Sequence, residues 1–84
     1  MVRKAAEMVD NNDPNKTVYS AMAKKVATEL CSGVCDYSLQ MHGGYGYLRE
    51  YGIEKYVRDL RVHQILEGTN EIMRMIIARK LLNE

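Results

Sequence analysis

The sequence predicts an all-α fold, an antiparallel helical bundle, from three observations. Apolar residues recur at helical spacing over the longest pattern in the chain, no stretch makes a convincing strand, and the breaks between patterns are rich in glycine, asparagine and proline. Those breaks divide the chain into four helical segments.

The first segment, roughly 1–10, places Val2, Ala5, Ala6 and Val9 at helical spacing and reads as the tail of a helix. NNDPNK then interrupts the pattern, and Asp13 before Pro14 suits an N-cap followed by a first helical residue. The second helix, about 15–42, is the best defined. Tyr19, Met22, Val26, Leu30, Val34, Tyr37 and Met41 are spaced 3, 4, 4, 4, 3 and 4 apart, the pattern of one buried stripe. Ala21, Ala23 and Ala27 add helix propensity, and Gly43 and Gly44 end the helix as glycine does at a C′ position.

Residues 43–52, GGYGYLREYG, read as a loop with four glycines and three tyrosines. The third helix, about 53–65, puts Ile53, Val57, Leu60 and Gln64 on one face and spaces Glu54 to pair with Arg58. Gly68 ends that pattern. Thr69 is a suitable N-cap for a fourth helix, about 70–83, with Met73, Ile76, Ile77 and Leu81 as its apolar stripe.

Eighty-four residues make one small domain, and a chain of this size buries only about 60% of its unfolded surface. Apolar residues make up 46% and charged residues 27%, with a net charge of +1 and no clustered basic excess. That balance excludes strong electrostatic attraction to nucleic acid or anionic membranes. No apolar run nears the roughly 18 residues of a membrane span. Phe and Trp are absent, so the core must come from aliphatic residues, Met and six Tyr. Ordering the chain costs far more than a few buried aliphatic residues return, so the piece is expected to need partners, either more of its own chain or a second copy.

Cys31 and Cys35 lie four apart on a helical pattern, where they share a face in poor geometry for a disulfide. A zinc site would need two further ligands, with only His42 and His63 on offer, so buried structural thiols in a reduced setting are expected and no metal site. Glu67 closes the apolar pair Ile65–Leu66 and precedes Gly68. The ordinary fate of such a residue is a solvated carboxylate near a helix start. Held against Ile65 and Leu66 it would instead lose water and act as a stronger base, and Gly68 would let a ligand approach the backbone. QMHGGYGY is no dinucleotide fingerprint, because it follows a helix rather than a strand, and a helix C-terminus has the wrong dipole sign for phosphate. Arg79 lies with Ile72 and Met75 off the main stripe, where an arginine ordinarily snorkels into water.

Three linked segments change the weight of these readings: Gln40-Met41-His42-Gly43-Gly44, then Tyr56, Arg58 and Asp59, then Glu67-Gly68-Thr69. Together, at these separations, they strongly resemble the C-terminal end of the acyl-CoA dehydrogenases, FAD-dependent enzymes of fatty-acid and branched-chain amino-acid oxidation. The likeness covers essentially the whole chain, is densest from Gln40 to Arg79, and is greatest to the isobutyryl-CoA dehydrogenase group. The resemblance implies that residues 1–84 are the C-terminal portion of the family's C-terminal four-helix domain, without its N-terminal helical domain and central β-domain. It implies that Glu67 is the base that removes the α-proton of a short or branched acyl-CoA thioester. Gln40, Met41, His42, Gly43, Gly44, Thr69, Asn70 and Glu71 correspond to FAD contacts, and Gly68 and Arg79 to contacts with the acyl-CoA. Arg79 lies ten residues past Thr69, roughly 15 Å along a helix, so it would touch a distant part of the ligand.

The same resemblance implies an electron-transfer flavoprotein as acceptor and a homotetramer for the full-length enzyme. It implies a mitochondrial matrix location in a eukaryote, or the cytoplasm in a bacterium. The isolated 84 residues are expected to be inactive. Two other classes compete: a helical oligomerisation module without catalysis, and a thiol or zinc module built on Cys31 and Cys35.

Overall fold

The computed structural model describes residues 1–83. They form α1 (Val2–Asp10), α2 (Lys16–His42), a one-turn α3 (Gly44–Tyr47), a 3-10 turn at Arg49–Tyr51, α4 (Ile53–His63) and α5 (Asn70–Leu82), with no strand among the described residues. The chain is all-α, as its periodicity predicts. It divides into two compact units, Met1–Ala27 with Gly68–Glu84 and Thr28–Glu67, so that α2 contributes its first half to one and its second half to the other.

In the first unit, Asp13 caps the start of α2 through its side chain. Its Oδ1 accepts the Asn15 N–H at 2.8 Å, and its carbonyl accepts the Lys16 N–H at 3.1 Å. Regular helix begins at Lys16, after a turn at Pro14 and Asn15. The buried apolar residues are Ala5 and Met8 of α1 and Val18, Ala21 and Ala23 of α2. Val2 and Val9, at helical spacing in the sequence, are exposed. Contacts along the unit fix the direction of α5. Its last turns, with Ile76, Arg79 and Lys80, lie beside Pro14, Thr17 and Val18, whereas residues at its start meet Lys24. Helix α5 therefore runs antiparallel to α2.

In the second unit α4 also runs antiparallel to α2. Gln64 Nε2 donates to the Thr28 carbonyl at 3.3 Å, while Val57 shares a groove with Leu39 and Tyr47. The predicted face of α4, Ile53, Val57, Leu60 and Gln64, is half-buried throughout. The ion pair that forms on this helix is Lys55 to Asp59, at 2.6 Å, not Glu54 to Arg58. The hydrogen bond and charge of Asp59 raise the Lys55 pKa above its ordinary value, but the pair is exposed, and such pairs add little stability.

Residues 43–52 are more ordered than a loop. Helix α2 ends at His42, Gly43 takes φ +64°, and α3 follows at once. Gly46 is the residue this tight succession requires. A Cβ there would lie 2.7 Å from His42 Cβ and 2.8 Å from the Leu39 carbonyl oxygen. The tyrosines do not line the turn evenly: Tyr45 and Tyr51 meet edge to face with ring centres 5.7 Å apart.

Two expectations about α2 need correction. The stripe is exposed at Tyr19 and half-buried at Met22 and Val26, but exposure then rises from 66% at Leu30 through Val34 and Tyr37 to 86% at Met41. The reason is angular. Helix α4 covers the Thr28 and Leu39 side, and at 3.6 residues per turn the stripe lies roughly half a turn away. The cysteines share the consequence: Cys31 is exposed and Cys35 half-buried, so neither is a buried thiol. No described helix is long and apolar enough to cross a membrane.

Removal of the Asp13 cap should lower stability by about 1 kcal/mol, as loss of a side-chain N-cap generally does. Urea unfolding of Asp13→Ala, followed by circular dichroism, checks this. A midpoint equal to that of the unsubstituted protein would mean the cap contributes nothing.

Candidate functional site

Helix α4 stops at His63 because Ile65 and Leu66 both turn their N–H groups back to the Val62 carbonyl, at 2.9 and 3.0 Å. The chain then passes through two consecutive left-handed residues, Glu67 at φ +57° and Gly68 at φ +86°. Glycine adopts this backbone freely. Glutamate does not, and a non-glycine residue held there marks local strain that the surroundings must maintain.

Thr69 restores extended backbone and opens α5, its Oγ1 accepting the Ile72 N–H at 3.3 Å. Asn70 follows at 2% exposure, the one buried polar residue among those described. Its Oδ1 accepts from Lys24 Nζ at 2.8 Å, and the same ammonium donates to the Gly68 carbonyl at 2.7 Å. Glu71 is exposed and faces Arg74 at 3.9 Å.

Glu67 is solvent-exposed, as are Ile65 at 52% and Leu66 at 38%. The expected apolar wall therefore does not come from the adjacent residues. Any shielding of Glu67 has to come from something laid over this surface.

Gln40, Met41, His42, Gly43 and Gly44 sit together at the C-terminal end of α2, and all five are exposed. His42 Nδ1 donates to the Ser38 carbonyl at 2.7 Å, which places a proton on that nitrogen. Positions where Gly43 and Gly44 would carry a Cβ open onto empty space, so a flat ligand can reach the backbone there. Arg79 is exposed and lines an open groove of about 460 Å³ with Pro14, Thr17, Val18, Ile76, Lys80 and Asn83.

The structure thus groups Gly68 to Glu71 at the start of α5 and Gln40 to Gly44 at the end of α2. Arg79 lies apart from Gly68 in the last turns of α5. Sequence reasoning overlooked Lys24. A lysine amid alanines on a helix carries no local signal that it reaches a turn 44 residues onward.

An all-α domain that ends one helix in a glycine-rich segment and opens another behind a left-handed carboxylate is thus the class of protein these elements define. The chain belongs to the family described as Acyl-CoA dehydrogenase, C-terminal domain, which it matches over residues 1–82. It is 54% identical over 84 residues to mitochondrial isobutyryl-CoA dehydrogenase of Bos taurus, all of this chain against 20% of that protein. It is 57% identical over 81 residues to the Dictyostelium discoideum enzyme of the same name, 96% of this chain against 20% of that protein. A solved structure described as the electron transferring flavoprotein of Acidaminococcus fermentans, towards a mechanism of flavin-based electron bifurcation, superposes with TM-score 0.92 at 37% identity. That match covers 99% of this chain and 22% of the other. The chain spans about a fifth of the length of the curated relatives it matches.

Gly68→Ala should destabilise the protein by about 1–2 kcal/mol through its left-handed backbone. A Cβ there also falls 2.9 Å from Met73 Cε, but that methyl ends a flexible side chain and can move. Adding Met73→Ala should therefore fail to restore stability in thermal unfolding, and recovery would assign the cost to sterics instead.

Proposed function

We propose that this chain is the C-terminal portion of an FAD-dependent acyl-CoA dehydrogenase, with Glu67 as the base that removes the α-proton of a short or branched acyl-CoA, isobutyryl-CoA-like. The observation that carries the reading is Glu67 itself, a carboxylate in left-handed backbone within the Glu-Gly-Thr segment. Membership of the family and the likeness to isobutyryl-CoA dehydrogenases support the substrate class.

The reaction divides into what this chain's residues do and what the cofactor supplies. Glu67 accepts the proton from the carbon α to the thioester carbonyl, and the electron pair left behind forms the new carbon–carbon double bond. The Glu67 backbone N–H donates to the thioester oxygen, which gains negative charge as the proton leaves, and a donor aimed at developing charge lowers the barrier. Gly68 contacts the acyl-CoA beside the base, and Arg79 holds a remote part of it.

The residues suit FAD by their chemistry. Exposed backbone at Gly43 and Gly44, flanked by Gln40, Met41 and His42, admits close approach of a planar group. The start of α5 at Thr69, Asn70 and Glu71 presents a helix N-terminus, which favours polar or anionic ligands. Of these, Asn70 is buried, with its Oδ1 held by Lys24. FAD bound there supplies the acceptor for the hydride that leaves the β-carbon.

In the full-length enzyme, an electron-transfer flavoprotein takes the electrons onward, and the protein is a homotetramer. It works in the mitochondrial matrix of a eukaryote, or in the cytoplasm of a bacterium. The exposed apolar stripe from Leu30 to Met41 fits a surface that further protein covers. That stripe is also what favours the second reading, a helical oligomerisation module without chemistry. Under that reading, changing Glu67 alters stability alone.

Stopped-flow reduction of the flavin by isobutyryl-CoA in the full-length enzyme separates the two. Glu67→Gln should slow reduction by about 10²–10⁴-fold, the usual contribution of a positioned base, with FAD retained. Unchanged reduction removes Glu67 from the mechanism. The isolated 84 residues, mixed with FAD, isobutyryl-CoA and an electron acceptor, should give no sustained acceptor reduction, and turnover there would contradict the dependence on the rest of the enzyme.

A further inference from the structure

The turn that carries Glu67 leads into a side-chain-capped start of α5. In an uninterrupted helix the Ile72 N–H would serve the Gly68 carbonyl, four residues back. Here that N–H goes to Thr69 Oγ1, and the first regular bond of α5 runs from the Met73 N–H to the Thr69 carbonyl. The Gly68 carbonyl obtains its partner from a different helix, as Lys24 Nζ approaches to 2.7 Å. The same ammonium holds the Oδ1 of buried Asn70 at 2.8 Å. A single cation on α2 thus joins the residue after Glu67 to the first residue of α5.

We propose that Lys24 is a positioning residue for the proton-abstracting base. The inference rests on the reading of Glu67 given above. Left-handed backbone at a glutamate is disfavoured, so the peptides at 67 and 68 relax toward commoner conformations unless something opposes it. Charge-assisted hydrogen bonds are the stronger kind, and two of them from Lys24 fix both the Gly68 peptide and the Asn70 side chain. Lysine suits the task because its compact ammonium turns freely to serve two acceptors, whereas a planar guanidinium imposes its own geometry. The consequence lies in catalysis: a base displaced by about 1 Å can lose on the order of 10²-fold in rate.

The test uses the full-length, FAD-loaded enzyme. Lys24→Met keeps the length of the side chain and its packing but removes the donors. At saturating isobutyryl-CoA, flavin reduction should slow by about 10–100-fold, while FAD content and the concentration giving half-maximal reduction stay near wild type. A purely structural lysine would instead lower thermal stability and leave the reduction rate of folded enzyme unchanged, which overturns the proposal. If Lys24→Met does not assemble, Lys24→Gln, with one neutral donor, is read in the same way, and a wild-type rate there overturns it equally. Glu67→Gln is measured alongside. Normal reduction in that variant defeats the reading of the base, whereas slow reduction in it beside a normal rate in the lysine variant defeats the Lys24 inference alone.

Discussion

Two successive residues in left-handed backbone, Glu67 and Gly68, set what this domain can do. They end the run that leaves α4 and lead into the start of α5. Only one of them is a glycine. The residues around Glu67 are themselves held: the Val62 carbonyl draws in Ile65 and Leu66 before it, and after it Thr69 caps α5 while Lys24 holds the Gly68 carbonyl. A carboxylate displayed on such a turn is oriented by backbone and is not left to sample conformations on a flexible side chain alone. That orientation is the physical basis for reading it as a base.

Orientation and shielding have different origins here. The turn orients Glu67, but nothing adjacent to it in sequence excludes water, since Ile65 and Leu66 are exposed beside it. The second half of α2 repeats the pattern on a larger scale, with a coherent apolar stripe that α4 does not cover. Both surfaces are exposed and apolar. In a chain spanning about a fifth of its relatives' length, the proposed base lies without walls around it among the described residues.

Much of this was legible in the sequence, because helices are specified locally. The 3- and 4-residue spacing of α2, the Asp13 and Thr69 caps and the glycine stop after His42 all act through residues within a turn of one another. The half-buried face of α4 followed for the same reason. What sequence could not supply was partnership between distant segments. Periodicity identified the stripe from Tyr19 to Met41 but not which stretch of it α4 leaves bare. Local spacing offered Glu54 and Arg58 as a pair where Lys55 and Asp59 took the contact, since both pairs satisfy the same rule. Lys24 was invisible because its partners lie 44 and 46 residues away. The role proposed for Glu67 comes from resemblance, and its left-handed backbone from the structure alone.

The central claim is that Glu67 removes a proton from carbon, and it is tested most directly apart from electron transfer. A non-oxidisable acyl-CoA analogue bound to the full-length, FAD-loaded enzyme should exchange its α-hydrogen for solvent deuterium, followed by mass spectrometry. The account predicts that Glu67→Gln lowers this exchange by about a hundred-fold or more while the analogue still binds. Exchange continuing at the unsubstituted rate would show that another group moves the proton, and would contradict the account at its base.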